Sequence, residues 1–173
     1  FYNLEAPSQG KTVFYSFGGF NHKSSDAYAF TRNWSARPDP FPVDAQGNLI
    51  FVKDIMRVAN DGEIWYSPHI QTRINDLGFT AGLKGKFKCG WDWDVSNTLA
   101  RNDFHFYGEK TFNASLNATK THFDDGGFSF LQNTTNLNLS REFTQKFNLG
   151  VGAEYRHENY EIYAGGPGSY TNY

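Results

Sequence analysis

Apolar and polar residues alternate with period two along five stretches of the chain. In one, Phe147, Leu149, Val151, Ala153 and Tyr155 interleave with Asn148, Gly150, Gly152, Glu154 and Arg156. In a second, Leu77, Phe79, Ala81 and Leu83 oppose Asp76, Gly78, Thr80, Gly82 and Lys84. Trp91, Trp93 and Val95 oppose Asp92, Asp94, Ser96 and Thr98 in the third. Between Leu131 and Phe143, Leu131, Thr135, Leu137 and Leu139 lie opposite Gln132, Thr134, Asn136, Asn138 and Ser140. A weaker alternation sets Val13, Tyr15 and Phe17 against Phe14, Ser16 and Gly18. Successive strand side chains point to opposite faces, so each stretch predicts a strand with one apolar and one polar face. The predicted strands span residues 11–22, 74–86, 91–104, 128–142 and 147–163.

These spans exceed the usual globular strand of about 5–6 residues and match the roughly 9–11 residues of a tilted membrane strand. Their connections are of two kinds. Gly85–Gly90 and Glu142–Lys146 are short polar turns, whereas Asn33–Thr72 and Phe104–Gly127 are long. Short turns at one end and long loops at the other are the rhythm of an outer-membrane β-barrel. Loops of that length are uncommon in a compact soluble domain. The expected fold is therefore all-β: antiparallel up-and-down strands forming part of a transmembrane barrel wall. Two rivals remain open. A soluble all-β sandwich would make a carbohydrate- or ligand-binding module, with the apolar faces of its two sheets about 10 Å apart. A small complete barrel would need eight strands rather than five.

Composition narrows the choice. The chain has 173 residues, with 17 Phe, 10 Tyr and 4 Trp against only 22 Leu, Ile and Val combined. Seventeen Gly and 16 Asn further disfavour helix interiors. The aromatic content is too high for a disordered chain. No run of about 18 apolar residues predicts a transmembrane helix, which leaves strand-crossing untouched. The net charge of −2 carries no basic block, so nucleic acid is not an expected partner. Cys89 is the only cysteine and has no CxxC partner for a disulfide or metal. Neither end carries a leader or terminator pattern, and both predict a segment cut from a longer protein.

The polar faces carry Asp76, Lys84, Asp92, Asp94, Glu154, Arg156 and Glu158. Such charges suit a wet barrel lumen or the solvated face of a soluble sheet. Trp91 and Trp93, beside a short turn, suit the aromatic girdle of a membrane interface, with sugar stacking as the rival. Phe123-Asp124-Asp125-Gly126-Gly127 predicts a turn, since it lacks calcium-loop spacing. The five histidines show no ligand spacing, and no metal or cofactor is assigned. Sequons at Asn33, Asn113, Asn117, Asn133 and Asn138 are expected by chance in so Asn- and Thr-rich a chain. No nucleophile elbow, phosphate loop or dinucleotide fingerprint is present, and the chain is not expected to be an enzyme.

An ordered series of motifs resembles one family. It runs from Pro68-His69-Ile70 through Gly82-Leu83-Lys84-Gly85 to Gly90-Trp91-Asp92-Trp93-Asp94-Val95-Ser96. It continues through Gly108–Lys110, Thr111-Phe112-Asn113-Ala114-Ser115-Leu116 and Phe123–Gly127. It ends with Gly152-Ala153-Glu154-Tyr155-Arg156-His157-Glu158 and Ala164–Tyr170. The series is similar to the barrel of TonB-dependent outer-membrane receptors, of the Bacteroidetes type in its Asn-rich, aromatic-rich wording. The resemblance implies an internal piece of a 22-stranded barrel, without the family's plug domain or TonB box. It implies uptake of a scarce or large nutrient, such as a siderophore, cobalamin or glycan, across the bacterial outer membrane. The implied partners are membrane lipid, the plug and remaining strands, the extracellular nutrient, and the TonB system through the plug. Trp34, Arg37, Trp65, Tyr66, Phe106 and Tyr107, in the long connections, are the candidate ligand contacts. For each of them the plainer role is packing of loop on loop.

Overall fold

A computed structural model describes the whole chain except Gln9, Lys11, Asn117 and Thr119. The expected strand start at Lys11 and the sequon at Asn117 lie outside the described residues. The chain is all-β, with 64% of residues in strands. Among the described residues nine strands form: β1 (Tyr2–Pro7), β2 (Val13–Tyr28), β3 (Arg32–Asn33), β4 (Arg57–Val58), β5 (Ile64–Tyr66), β6 (His69–Lys86), β7 (Asp92–Glu109), β8 (His122–Thr144) and β9 (Phe147–Tyr163). A 3-10 turn at Pro167–Ser169 follows. A six-stranded antiparallel sheet takes the order β1-β2-β6-β7-β8-β9, and β3-β5-β4 form a small second sheet. The large sheet does not close on itself into a barrel.

The period-two stretches are strands, but the strands outrun them. β2 continues to Tyr28, β6 begins at His69, β7 runs to Glu109 and β8 begins at His122. The connection expected over Phe104–Gly127 shrinks to residues 110–121, and Asn33–Thr72 contains β3, β4, β5 and the start of β6. These extensions mix polar residues such as Ser24, Ser25 and Asp26 with isolated apolar ones such as Ile70 and Phe106, so they carry no sustained alternation to read. Side-chain bonds help the ladder there: Ser25 Oγ lies 2.6 Å from Thr72 Oγ1, and His69 Nδ1 lies 2.8 Å from Asp26 Oδ1. β1 also escaped the pattern, being only six residues long.

The chain divides into two compact units. The first comprises Phe1–His22, Asn75–Asp103 and Ser129–Glu161; the second comprises Lys23–Ile74, Phe104–Phe128 and Ile162–Tyr173.

In the first unit, alternation sorts side chains as expected on β6, β7, β8 and β9. On β2 the expectation is reversed, with Tyr15 on the polar face beside Asp94 and Lys84, and Ser16 on the face of Leu4 and Tyr2. One face carries a polar lattice. Tyr15 Oη donates to both carboxylate oxygens of Asp94 at 2.9 Å. Lys84 Nζ donates to Glu5 at 2.6 Å, and the Thr80 and Thr98 hydroxyls lie 2.9 Å apart. The other face carries Leu77, Phe79, Leu83, Val95, Leu99, Leu137, Leu149 and Val151, all exposed. The buried residues of this unit, among those described, are Ser16, Thr80, Gly82, Ser129 and Thr134; none is a large hydrophobic. Among the described residues of this unit no second sheet covers the apolar face. Aromatic rings gather at the short-turn end, with Phe87 on Trp93 at 5.8 Å, Trp91 on Phe143 at 5.9 Å and Phe143 on Phe147 at 5.7 Å. That turn closes through Phe87 N to Trp91 O at 2.8 Å, and Gly90 supplies its left-handed residue at φ 88°.

The second unit has an ordinary core. Phe41, Met56 and Tyr66 are each 1% exposed, packed by Trp34, Leu49, Val52, Ile55, Ile64 and Phe112. Its rings meet edge to face: Trp34 on Phe41 at 5.4 Å, Phe41 on Tyr66 at 4.9 Å and Tyr66 on Phe112 at 5.1 Å. The small sheet hangs this core on β5, whose Tyr66 pairs with Arg32 of β3 and whose Ile64 pairs with Val58 of β4.

Asp124–Gly127 is not a turn between strands, as the sequence suggested; it lies within β8. Gly126 has φ 76°, and a Cβ there would stand 2.3 Å from Tyr163 O. A Cβ on Gly165 would stand 2.0 Å from Asp124 O. The Asp-Gly signal is thus spent on a close backbone approach rather than a reversal.

Candidate functional site

The second unit holds a cavity of about 660 Å³. Its wall comes from three loops. Arg32, Arg37, Asp39 and Pro40 form one side; Thr111–Ser115 another; Gly168–Asn172 a third, with Phe123 and Asp125 of β8 beneath. Each loop is held in place. Tyr66 Oη donates to Pro40 O at 3.2 Å. Asn113 Nδ2 donates to Gly168 O at 3.0 Å and Thr171 O at 2.9 Å, while its Oδ1 accepts from Ser115. Asn113 thus ties two walls together. The site is pre-formed, as ligand cavities of this size usually are.

Its charges are of both signs, and Arg37, Asp39 and Asp125 are exposed. Arg32 and Arg37 face the cavity with Asp39 and Asp125, yet none of the four makes an ion pair among the described residues. The Asp125 carboxyl lies against Gly108, where a Cβ would come within 3.1 Å of Oδ2. Burial pushes Asp125 above the usual carboxylate range, and the neighbouring Asp124 adds to the rise. Asp124 moves the other way. Burial opposes its ionisation, but the Gly126 N–H and His105 outweigh that and hold it low.

A second polar cluster lies on β7 and β8. His105 Nε2 stands 2.6 Å from Asp124 Oδ1, and its Nδ1 stands 3.2 Å from Tyr163 Oη. If Nε2–H donates to Asp124, the Tyr163 hydroxyl donates to Nδ1. His105 stacks on Tyr107 at 4.5 Å, Tyr107 on His122 at 5.6 Å, and Arg73 covers Tyr107 at 4.8 Å. His122 Nδ1 lies 2.6 Å from Glu109. Such pairs fix the strands. Among the described residues no group of His, Cys, Asp or Glu is arranged to hold a metal ion.

The six residues singled out by the sequence fall in different places. Arg37 lines the cavity. Trp34 and Tyr66 pack in the core, and burial of Tyr66 raises its hydroxyl pKa. Trp65 lies on β5, paired with Asn33 and Arg57. Phe106 packs on Phe104 at 4.6 Å and Phe128 at 5.9 Å. Tyr107 is the middle ring of the His–Tyr–His stack. Sequence reasoning missed Arg32, Asp39, Asp125 and the Gly168–Asn172 wall. Their only signal was charge in a loop, which does not tell which loops meet.

The first unit has a cavity of its own, about 590 Å³, walled by Phe1, Phe17, Phe130 and Ala100 over Gly18, Gly19 and Gly78. No protein-family model, curated protein or solved structure matches this chain.

Proposed function

We propose that the chain is a section of the wall and outer loops of a transmembrane β-barrel in the bacterial outer membrane. In this reading it belongs to a receptor of the TonB-dependent kind that takes up an extracellular nutrient. The observation that carries the reading is the inverted first unit: Ser and Thr are buried while Leu, Phe and Val face outward. Water penalises that arrangement at about 25 cal/mol per Å² of apolar surface, and lipid relieves it. The dimensions support it. Leu77 to Phe87 spans eleven residues and ten steps, or about 25 Å of height at a barrel strand's tilt, which is the height of a lipid-facing band. The aromatic rings around Phe87, Trp91 and Phe143 then make one girdle. Asn97 and Asn133, on the outward face, satisfy each other through reciprocal amide bonds of 3.0 and 3.1 Å. Lipid requires such internal pairing. The edges β1 and β9 await the neighbouring strands of a 22-stranded wall, and the long connections are its outer loops.

The carbohydrate-binding sandwich needs the apolar positions to meet a facing sheet, and in the first unit they meet none. The test places single cysteines, in a Cys89→Ser background, at Val151 and at Glu154, each labelled with a polarity-sensitive dye in phospholipid vesicles. The dye at Val151 should report hydrocarbon and be quenched by brominated lipid; the dye at Glu154 should report water. Equal, wet signals at both positions, or a monomeric chain with a cooperative melt in plain buffer, would refute the proposal.

A further inference from the structure

We infer that the charged cavity of the second unit binds a short ligand carrying a carboxylate at one end and an ammonium at the other, the chemistry of a small peptide. The inference deepens the uptake reading and rests on it for the ligand's arrival from outside. It starts from the unpaired charges. Two guanidiniums and two carboxylates line one cavity, and no arginine there reaches a carboxylate. Opposite charges that share a cavity without meeting are complementary to a ligand that brings the missing partner to each. Arg37 suits a carboxylate, since a guanidinium offers paired parallel donors. Asp125 and Asp39 suit an ammonium, which has three donors and no acceptor.

The rest of the wall fits the same ligand. A peptide's backbone offers alternating N–H and C=O groups, and Thr111, Ser115 and Asn172 put matching polar groups on the lining. Tyr170, 65% exposed, supplies an apolar plate for a side chain. A volume of about 660 Å³ holds a few residues rather than a folded protein. A purely anionic ligand would be repelled by Asp39 and Asp125, and a purely cationic one by Arg32 and Arg37.

The test is calorimetric titration of the whole chain in detergent micelles with trialanine, N-acetyl-trialanine, trialanine amide and maltotriose. Trialanine should bind, and each capped form should bind at least about tenfold more weakly, because a lost charge-assisted bond is worth that much. Arg37→Gln should weaken trialanine and erase its advantage over the amide. Asp125→Asn should erase its advantage over the acetylated form. The capping comparison uses the unaltered chain, so it stands even if a variant misfolds. No trialanine binding, maltotriose binding as tight as trialanine, or less than a twofold effect of either cap would overturn the inference. Dye labelling in vesicles reads the membrane proposal separately. Peptide binding with a wet Val151 leaves the cavity and removes the barrel; a lipid-facing Val151 with no peptide binding does the reverse.

Discussion

Replacing Tyr66 asks whether it is a core residue or a ligand contact. Its side chain is 1% exposed and meets Phe41 and Phe112 edge to face, at 4.9 and 5.1 Å. Its hydroxyl donates to Pro40 O at 3.2 Å. Tyr66→Ala removes the ring and opens a cavity, at a cost of about 3–5 kcal/mol. Tyr66→Phe keeps both ring contacts and loses one long hydrogen bond, at about 0.5–1 kcal/mol. The difference of about 2–4 kcal/mol belongs to the ring. Tryptic cleavage at Lys53 and Arg57, with the chain in micelles, reads the open population of the second unit when reclosing is fast. Each 1.4 kcal/mol is tenfold. Cleavage of Tyr66→Ala should therefore exceed that of Tyr66→Phe by roughly 30-fold or more. Trialanine affinity should stay within about threefold in Tyr66→Phe. If the two variants are cleaved at rates within twofold of each other, the ring is not holding the core and the reasoning fails.

Three further outcomes follow from the same geometry. Ala81, five residues above Lys86, sits about 12 Å into the proposed lipid band, so Ala81→Arg should cost about 2–4 kcal/mol in vesicles and Phe87→Arg no more than about 1; equal costs, read by urea unfolding in vesicles, would contradict the depth assignment. Gly126→Ala places a methyl 2.3 Å from Tyr163 O at a positive φ. It should cost at least about 2 kcal/mol and loosen the Gly168–Asn172 wall, raising proteolysis there; wild-type resistance would show that the segment shifts freely. The second unit should also weaken in acid. His69 beside Asp26, the Asn48 N–H on Asp44, Ser35 on Glu63, and the Gly126 N–H with His105 against the burial of Asp124 hold these four carboxyls below their ordinary values. A depressed carboxyl pKa stabilises the fold above the ordinary value and stops doing so as pH falls through the folded one. Resistance to an acid-active protease should accordingly fall below about pH 4.5, as the ordinary values of 4.5 for Glu63 and 3.8 for the aspartates are passed, and Asp26→Asn should flatten part of that fall; no change down to pH 2 would refute it.

The faces of β6, β7, β8 and β9 in the first unit were legible in the sequence, those of β2 were not, and the reason is local. Alternation is a property of neighbouring residues, and the pleat converts it directly into two faces. Leu77, Phe79 and Leu83 therefore had to lie together opposite Thr80, Gly82 and Lys84. The short turns were equally local, set by Gly90 and the polar run before Phe147. The extensions 23–28 and 105–109 were not legible, because cross-strand partners such as Thr72 for Ser25 and Phe128 for Phe106 hold them. Asp124–Gly127 carried a true signal with the wrong meaning. Its glycines serve an approach to Tyr163 and Gly165, about forty residues away in sequence, which only the tertiary fold brings near. The cavity was least legible of all. Arg37 could be named as a loop residue, but its company of Arg32, Asp39 and Asp125 depends on three loops meeting through Tyr66 and Asn113. Local chemistry decided which side of the sheet is apolar; long-range contacts decided where opposite charges share a space without touching.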